Sequence, residues 1–178
     1  MFHIATFRDT VEVEPHELGE ELDKVVLERL RKRYSDKFIP GIGYVVEVLG
    51  AKREKLGRAS PFDGNIYFRV LFEALVFMPE LMEIVEGEIV SVVDYGIFVN
   101  LGAVRALVHI SQLADDYFSY DGKNLVGKKV TFSVGDIVRG RVIAISKSRE
   151  RGEKVRLRVN LTCRQPGLGK VKGEQSEA

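Results

Sequence analysis

The first part of the chain alternates between apolar and polar residues in three stretches that the pattern predicts to be β-strands. Residues 2–13, FHIATFRDTVEV, have the two-residue period of a strand with one buried face. Residues 41–54 and 64–77 are rich in β-branched and aromatic residues, which is typical of strands. Together the three segments predict an antiparallel sheet.

The segment between the first two strands, residues 14–34, has the pattern of an amphipathic helix. Pro15 suits a first helical turn, acidic residues occupy its first half and basic residues its second half, as the helix dipole favours. Apolar residues recur at helical spacing, which predicts one stripe packed against the sheet: Leu18, Leu22, Val26, Leu30 and Tyr34. The first domain is therefore predicted to be a helix on an antiparallel sheet.

Two glycine-containing connections separate these elements. Residues 51–64, AKREKLGRASPFDG, are polar and predict an exposed loop or an extended hairpin tip. Gly41 and Gly43 form a PGIG sequence, but a phosphate-binding loop needs a strand before it and a helix after it. We therefore expect a turn at PGIG.

A second domain is predicted from about residue 81. Pro79 ends the preceding strand, and five strand-like segments separated by glycine-containing turns follow it, which is typical of a small five-stranded barrel. These segments are residues 85–93, 96–102, 104–111, 134–146 and 154–161. The predicted organisation is an α+β chain with a first domain at residues 1–80, a barrel at residues 81–165 and a tail at residues 166–178.

Tyr95 and Phe98 are three residues apart, so in a regular strand they would face opposite sides. Gly96 lies between them, and a glycine within a strand often marks a bulge that shifts the alternation by one residue. We therefore expect a bulge at Gly96 to bring both rings, with His109 nearby, to one outer face, where they would offer stacking surfaces for bases. The alternative is that both rings plug the barrel or pack under the loop that follows.

Charge is distributed unevenly along the chain. Residues 73–122 carry nine acidic residues and one basic residue, whereas residues 139–172 carry eleven basic and two acidic residues. In KVRLRVNL, strand alternation places Lys154, Arg156 and Arg158 on one face, and Val155, Leu157 and Val159 on the other. A cationic face of this kind suits a phosphate backbone.

Other function classes find little support in the sequence. We find no supported pair of catalytic carboxylates, no nucleophile with a base, and no metal-ligand or cofactor-binding motif, so we expect no catalysis, metal or cofactor. No signal peptide and no membrane-spanning apolar run are apparent. Cys163 is the only cysteine, which fits a reducing compartment, and we expect the protein in the cytoplasm.

The second domain closely resembles the S1 RNA-binding family, whose fold is a five-stranded oligonucleotide-binding barrel. The carriers of this resemblance are YGIFV at residues 95–99 and LVHIS at residues 107–111. The resemblance implies that RNA-facing positions are Tyr95, Phe98 and His109, with Lys154 or Arg156 as the basic partner. The first aromatic is often Phe in the family, and an Asp that is frequent after the fourth strand is Ser146 here.

The whole chain resembles the E-prime family of archaeal RNA polymerase stalk subunits, counterparts of the seventh subunit of eukaryotic RNA polymerase II. DKFIPGIGYVVEV, FRVLFEALVFMPELMEIVEGEI, DDYFSYD and RQPGLGK carry this resemblance. It implies a truncated ribonucleoprotein-like first domain whose tip, at Gly41–Gly43 and Lys55–Asn65, docks on the polymerase core. It also implies a smaller stalk partner, the F subunit of the polymerase, and an S1 domain that binds nascent single-stranded RNA in initiation, elongation and termination.

Two alternatives stay open at this point. The first alternative is a free-standing S1-domain RNA-binding regulator, related to translation or RNA decay. The second is a purely architectural subunit whose aromatic residues are buried. Co-purification with polymerase subunits separates the first alternative from a stalk subunit, and the exposure of Tyr95 and Phe98 separates the second.

Overall fold

The computed structural model describes residues 1–149 and 155–171, without the side chain of Arg149. These residues are mostly β-structure with one α-helix. The chain divides into an N-terminal unit, Met1–Met78, and a C-terminal unit that begins at Pro79. The strands therefore belong to two separate folded units, each with its own core.

The N-terminal unit is built on an antiparallel sheet in the order β1-β5-β3-β2, with β4 paired to β5. The long central strands pair over most of their length, because alternate residues of each strand are apolar and share one buried face. The strands are β1 Phe2–Val13, β2 Lys37–Ile39, β3 Gly43–Arg53, β4 Arg58–Ala59 and β5 Ile66–Phe77.

The helix α1 spans Leu22–Tyr34 and covers one face of this sheet. Leu22, Val26 and Leu30 are buried in the core, as the apolar stripe predicted. The expected start at Pro15 is wrong: Pro15–Glu17 form a separate 3₁₀ turn, and Leu18 is exposed. The apolar period of the sequence continued through a segment that is not α-helical, so periodicity alone misplaced the start.

Asp9 fastens the C-terminal end of α1 to β1. Its carboxylate accepts hydrogen bonds from Arg33 Nη1 at 2.6 Å and from Tyr34 Oη at 2.7 Å. Partial burial opposes ionisation of Asp9, but the hydrogen bonds from Tyr34, from the Thr10 backbone and from Arg33 outweigh it and hold its pKa below the ordinary 3.8. The helix is thus positioned by an ion pair as well as by its apolar stripe.

The C-terminal unit contains a sheet in the order β13-β8-β7-β6-β12-β14. Because β12 also pairs with β13, five of these strands close on themselves, and their inward residues form the core. The strands are β6 Ile84–Val93, β7 Gly96–Asn100, β8 Arg105–His109, β12 Ile137–Arg149, β13 Val155–Thr162 and β14 Gly169–Lys170. The last of these lies in the predicted tail but pairs with β12.

The polar loop expected between the third and fourth strands of this unit contains a small sheet of its own. Its strands are β9 Ser119–Tyr120, β10 Leu125–Val126 and β11 Thr131–Phe132, in the order β11-β10-β9. Leu125 and Phe132 are buried, and the backbone N–H of Lys129 donates to Asp116 at 2.9 Å. That hydrogen bond lowers the pKa of Asp116, so its carboxylate organises the loop.

In the part of the chain that the structure describes, α1 has 13 residues and is too short and too polar to cross a membrane. Cys163 is buried, and burial raises the pKa of its thiol to about 11. The thiolate is therefore disfavoured.

Candidate nucleic-acid interface

Tyr95 belongs to a hairpin turn and not to a bulged strand. Asp94 and Tyr95 connect Val93 to Gly96, and those two residues pair across the hairpin. The expected bulge at Gly96 is wrong, because β7 is regular and the register shift lies in β6, between Ile89 and Ser91. The backbone N–H of Ile110 donates to the carbonyl of Tyr95 at 2.8 Å and holds the turn.

The two aromatic rings nevertheless contact each other on the outer surface, through the hairpin turn and not through a bulge. Their centroids are 6.3 Å apart and the planes are at 86°, an edge-to-face contact. Tyr95 is 47% exposed, and Phe98 is half-buried, while the neighbouring Ile97 and Val99 fill the interior. The rings therefore do not plug the closed sheet, and one edge of the pair is open to solvent.

Gly96 allows β7 and β8 to approach each other closely beside this surface. It pairs with His109 across the β7–β8 ladder, and an added Cβ would lie 2.3 Å from the carbonyl oxygen of Val108. No side chain longer than hydrogen therefore fits without a shift of backbone. Gly96 is therefore required for the close approach of β7 and β8 next to the Tyr95 turn.

His109 ends β8 and caps the 3₁₀ turn Ile110–Gln112. The backbone N–H of Ser111 donates to His109 Nδ1 at 3.2 Å, and Ser111 Oγ lies 2.8 Å from the same nitrogen. Because a backbone N–H can only donate, Nδ1 accepts, and the neutral ring carries its proton on Nε2. The ring is exposed, so Nε2–H is directed to a ligand or to water.

The pairing register places a row of outward residues across four strands. Ser91 pairs with Phe98, Phe98 with Leu107, and Leu107 with Asn160. Paired residues in a sheet share a face, so this row is continuous beneath the two rings. We call the outer surface of β7, β8 and β13, with the Tyr95 turn, the aromatic face.

The basic residues of β13 lie beside this row. Arg156 and Arg158 are exposed, and they alternate with the buried Leu157 and Val159, as predicted. Val155 is only partly buried. Lys154, the other predicted cation, lies outside the described residues.

Sequence reasoning missed three residues of the aromatic face: Arg105, Leu107 and Asn160. Val159 pairs with Ala106 in parallel register, so one step back along both strands places Arg158 beside Arg105. The alternation of VRALVH and RVNL would have assigned all three residues to the outer face, but it could not show that β8 and β13 are neighbours.

Ser146 also faces this surface, because it pairs with Arg158 between β12 and β13. Both residues are exposed. A carboxylate at position 146 would oppose the Arg158 charge, whereas the serine hydroxyl leaves that charge available to an anion. Ser146 therefore leaves the face more cationic than a carboxylate at that position would.

Comparison with known families follows the division into two units. A model of the S1 RNA binding domain matches residues 79–152. A model of the SHS2 domain found in the N terminus of Rpb7p and Rpc25p matches residues 8–64. The aromatic face thus lies in the S1 match.

Relatives match over nearly the whole chain or over parts of it. The DNA-directed RNA polymerase subunit Rpo7 of Saccharolobus solfataricus is 38% identical over 177 residues, 96% of each chain. DNA-directed RNA polymerase III subunit RPC8 of Saccharomyces cerevisiae is 31% identical over 112 residues, 63% of this chain and 53% of that protein. Ribonuclease R of Vibrio cholerae is 40% identical over 70 residues, which is 8% of its length.

Proposed function

Because this chain belongs to the Rpo7 family of DNA-directed RNA polymerase subunits, we propose that it is the non-catalytic stalk subunit of such an enzyme and holds single-stranded RNA on its aromatic face. In this proposal the closed sheet is the five-stranded oligonucleotide-binding barrel of the S1 fold, at residues 81–165. The observation that carries the proposal is the exposed edge-to-face pair of Tyr95 and Phe98 beside a row of cations.

Bases bind at the two rings. Every base has a π-face, so stacking on an exposed aromatic side chain is tolerant of sequence. A base on the rings of Tyr95 and Phe98 lies near His109, because His109 pairs with Gly96, which stands between the two aromatic residues in the sequence. His109 Nε2–H then donates to a carbonyl oxygen or ring nitrogen of that base, because its Nδ1 is occupied by Ser111.

Phosphates bind along the neighbouring strands. Arg105 and Arg158 lie side by side on β8 and β13, and Arg156 is two residues further along the same outward face. Side chains two apart on a strand are separated by roughly 6.8 Å, which is close to the phosphate spacing of an extended single strand. We include Lys154 in this set on the strand alternation of the sequence alone.

The N-terminal unit docks on the polymerase core in this proposal, with the polymerase's F subunit as a smaller partner of the chain. Of the two predicted tip segments, the loop Lys55–Asn65 is the better candidate, because Leu56 is 84% exposed and Phe62 is 97% exposed. The turn at Gly41–Gly43 lies at the opposite end of β3, roughly 33 Å away for an 11-residue strand. The two segments therefore do not form one tip.

The biological role that we propose is support of initiation, elongation and termination through contact with nascent RNA. A non-catalytic RNA-binding subunit acts by keeping the transcript on a defined path near the enzyme. We also propose that the N-terminal unit has a truncated ribonucleoprotein-like fold and that the protein is located in the cytoplasm.

A free-standing S1-domain regulator is the alternative from a different class. The SHS2 match at residues 8–64 favours the polymerase subunit, because the match to Ribonuclease R involves only 70 residues. Purification of the tagged chain from its native cells decides between them. Recovery of the large polymerase subunits in stoichiometric amount supports the stalk assignment, and their absence would refute it.

RNA binding is tested with the double variant Tyr95→Ala/Phe98→Ala of the full chain and a ~12-nucleotide oligouridine. Each stacking contact is worth about 1–3 kcal/mol, so we expect the affinity to fall at least tenfold. Tyr117→Ala is the matched control, because Tyr117 is 88% exposed in the same unit but lies outside the aromatic face. Equal affinity of the folded double variant and the parent would refute stacking.

A further inference from the structure

The N-terminal sheet has a second face that α1 does not cover. Asp9 and Arg53 point to the helix side, since they contact Arg33 and Asp23 of α1. The residues next to them along β1 and β3 therefore point to the open side. Arg8 pairs with Leu71, and Leu71 pairs with Lys52, so these three residues form one row across three strands of the open face.

This row lies in a cleft of about 960 Å³ that is rich in cations. Arg69 lies two residues from Leu71 along β5, and Lys55 follows the end of β3. Leu71, at the centre of the cleft, is 44% exposed. We call the group of Arg8, Lys52, Lys55 and Arg69 around Leu71 the cationic cleft.

The cations of the cleft differ from those on the helix side. Arg29 pairs with Glu17, Arg33 with Asp9, and Arg53 with Asp23. Within the described residues, by contrast, no side-chain hydrogen bond or ion pair is formed by Arg8, Lys52, Lys55 or Arg69. The cleft is lined by more cations than carboxylates, and an excess of positive charge attracts and orients an anionic partner.

We propose that the cationic cleft binds an extended acidic segment of a protein partner, whose carboxylates reach the cations and whose apolar side chain packs on Leu71. This extends the docking part of the proposed function from the Lys55–Asn65 loop to the open face, and rests on it. Alternate side chains of an extended segment are roughly 6.8 Å apart, the same spacing as Arg69 and Leu71 along β5.

A protein segment fits this cleft better than RNA does. No aromatic side chain is among the described residues that line it, so bases find no stacking surface there. Glu54 lines one side, and Glu73 lies two residues beyond Leu71 on the same face. These carboxylates would repel a continuous phosphate backbone, whereas a peptide can present an uncharged residue at those positions.

The test uses the full ¹⁵N-labelled chain and a synthetic extended peptide in which glutamate and leucine occupy every second position in turn, with serine between them. A second peptide carries glutamine in place of every glutamate. The order of the acidic peptide is a repeat of Glu-Ser-Leu-Ser, so that glutamate and leucine lie two residues apart on the same face of the extended peptide. We expect this peptide to shift the amide signals of Arg8, Lys52, Arg69 and Leu71 in a saturable titration, and the glutamine peptide to leave them unchanged.

Charge reversal supplies the matched comparison. Arg8→Glu/Lys52→Glu should weaken peptide binding at least tenfold at low ionic strength, whereas Lys32→Glu/Lys37→Glu, with the same change in net charge outside the cleft, should weaken it less than twofold. The milder Arg8→Gln/Lys52→Gln should lie between them and guards against misfolding of the first variant. RNA binding by the aromatic face should be unchanged in all three, so a failure here is separate from a failure of RNA binding.

Three results would overturn the proposal. The first is no saturable shift of the cleft amides by the acidic peptide. The second is an equal loss of peptide affinity in the cleft variant and in the Lys32→Glu/Lys37→Glu control, which would indicate attraction by net charge only. The third is that oligouridine, and not the peptide, shifts the cleft amides, which would assign the cleft to nucleic acid.

Discussion

The two units each present one open sheet face with cations on it, and the two faces differ in what lies between those cations. On the aromatic face, Arg105 and Arg158 lie beside the rings of Tyr95 and Phe98. On the open face of the N-terminal unit, Arg8 and Lys52 are separated by an aliphatic side chain, Leu71. In the two proposals, similar charge on a sheet therefore serves different ligands, according to whether an exposed π-surface accompanies it.

The two faces also differ in the acidic residues that lie near their cations. Ser146 occupies the position opposite Arg158, so no carboxylate faces that arginine from its paired position on β12. The N-terminal face carries Glu73 and Glu54 close to its cations. A polyanion with evenly spaced charges suits the first face, and a short acidic segment suits the second.

The largest effect should come from reversing charge on the aromatic face. Arg105→Glu/Arg158→Glu removes two phosphate contacts and introduces repulsion, so we expect oligouridine affinity to fall about a hundredfold, ~2.7 kcal/mol, at low salt. The salt dependence of binding should become shallower. Arg8→Glu/Lys52→Glu is the control with the same charge change, and a comparable loss there would erase the distinction between the faces. Fluorescence anisotropy measures both.

The next effect concerns the backbone that supports the rings. Gly96→Ala places a Cβ 2.3 Å from the Val108 carbonyl oxygen, so the β7–β8 ladder must shift. We expect a loss of about 2 kcal/mol in the free energy of unfolding, measured with urea. Gly50→Ala is a suitable control, because nothing lies within 4 Å of its added Cβ in the strand β3. An unchanged midpoint for Gly96→Ala would show that the close approach is not needed.

A smaller change distinguishes π-stacking from general apolar contact. Phe98→Leu keeps an apolar side chain on the outer row but removes the ring, so we expect RNA affinity to fall about tenfold, ~1.4 kcal/mol, with little change in stability. Leu71→Ala in the N-terminal unit should leave RNA affinity unaltered. Equal RNA affinity of Phe98→Leu and the parent would mean that the aromatic face contributes apolar contact and not stacking.

The smallest effect is a pH-dependent one in the N-terminal unit. The pKa of Asp9 is lowered in the folded state, so its contribution to stability is present above the unfolded pKa of about 3.8 and is lost as pH falls through the lower folded value. Asp9→Asn should therefore reduce stability by about 1 kcal/mol at pH 7, through weaker hydrogen bonds to Arg33 and Tyr34.

The stability difference between Asp9→Asn and the parent should narrow as pH falls from about 4 through the lowered pKa of folded Asp9, below which both carry an uncharged residue at position 9. Thermal unfolding monitored by circular dichroism follows this difference. Glu28→Gln, on the exposed side of α1, serves as the control and should show no such narrowing. A difference for Asp9→Asn that stays constant with pH would mean that its charge does not contribute.

The sequence by itself determined the element types and which residues of a strand share a face. Leu157 and Val159 are buried while Arg156 and Arg158 are exposed, as a two-residue period requires. Leu22, Val26 and Leu30 are buried because they recur once per helical turn. These features depend on local periodicity, so each can be predicted from one segment of the sequence.

Only the tertiary structure decided how Tyr95 and Phe98 meet, which residues join them, and which residues lie side by side on the open face of the N-terminal sheet. The contact of the rings depends on a hairpin turn, and the row through Leu107 and Asn160 depends on parallel pairing of β8 with β13. Pairing of strands distant in sequence is set by the closure of the whole sheet, so no local pattern encodes it.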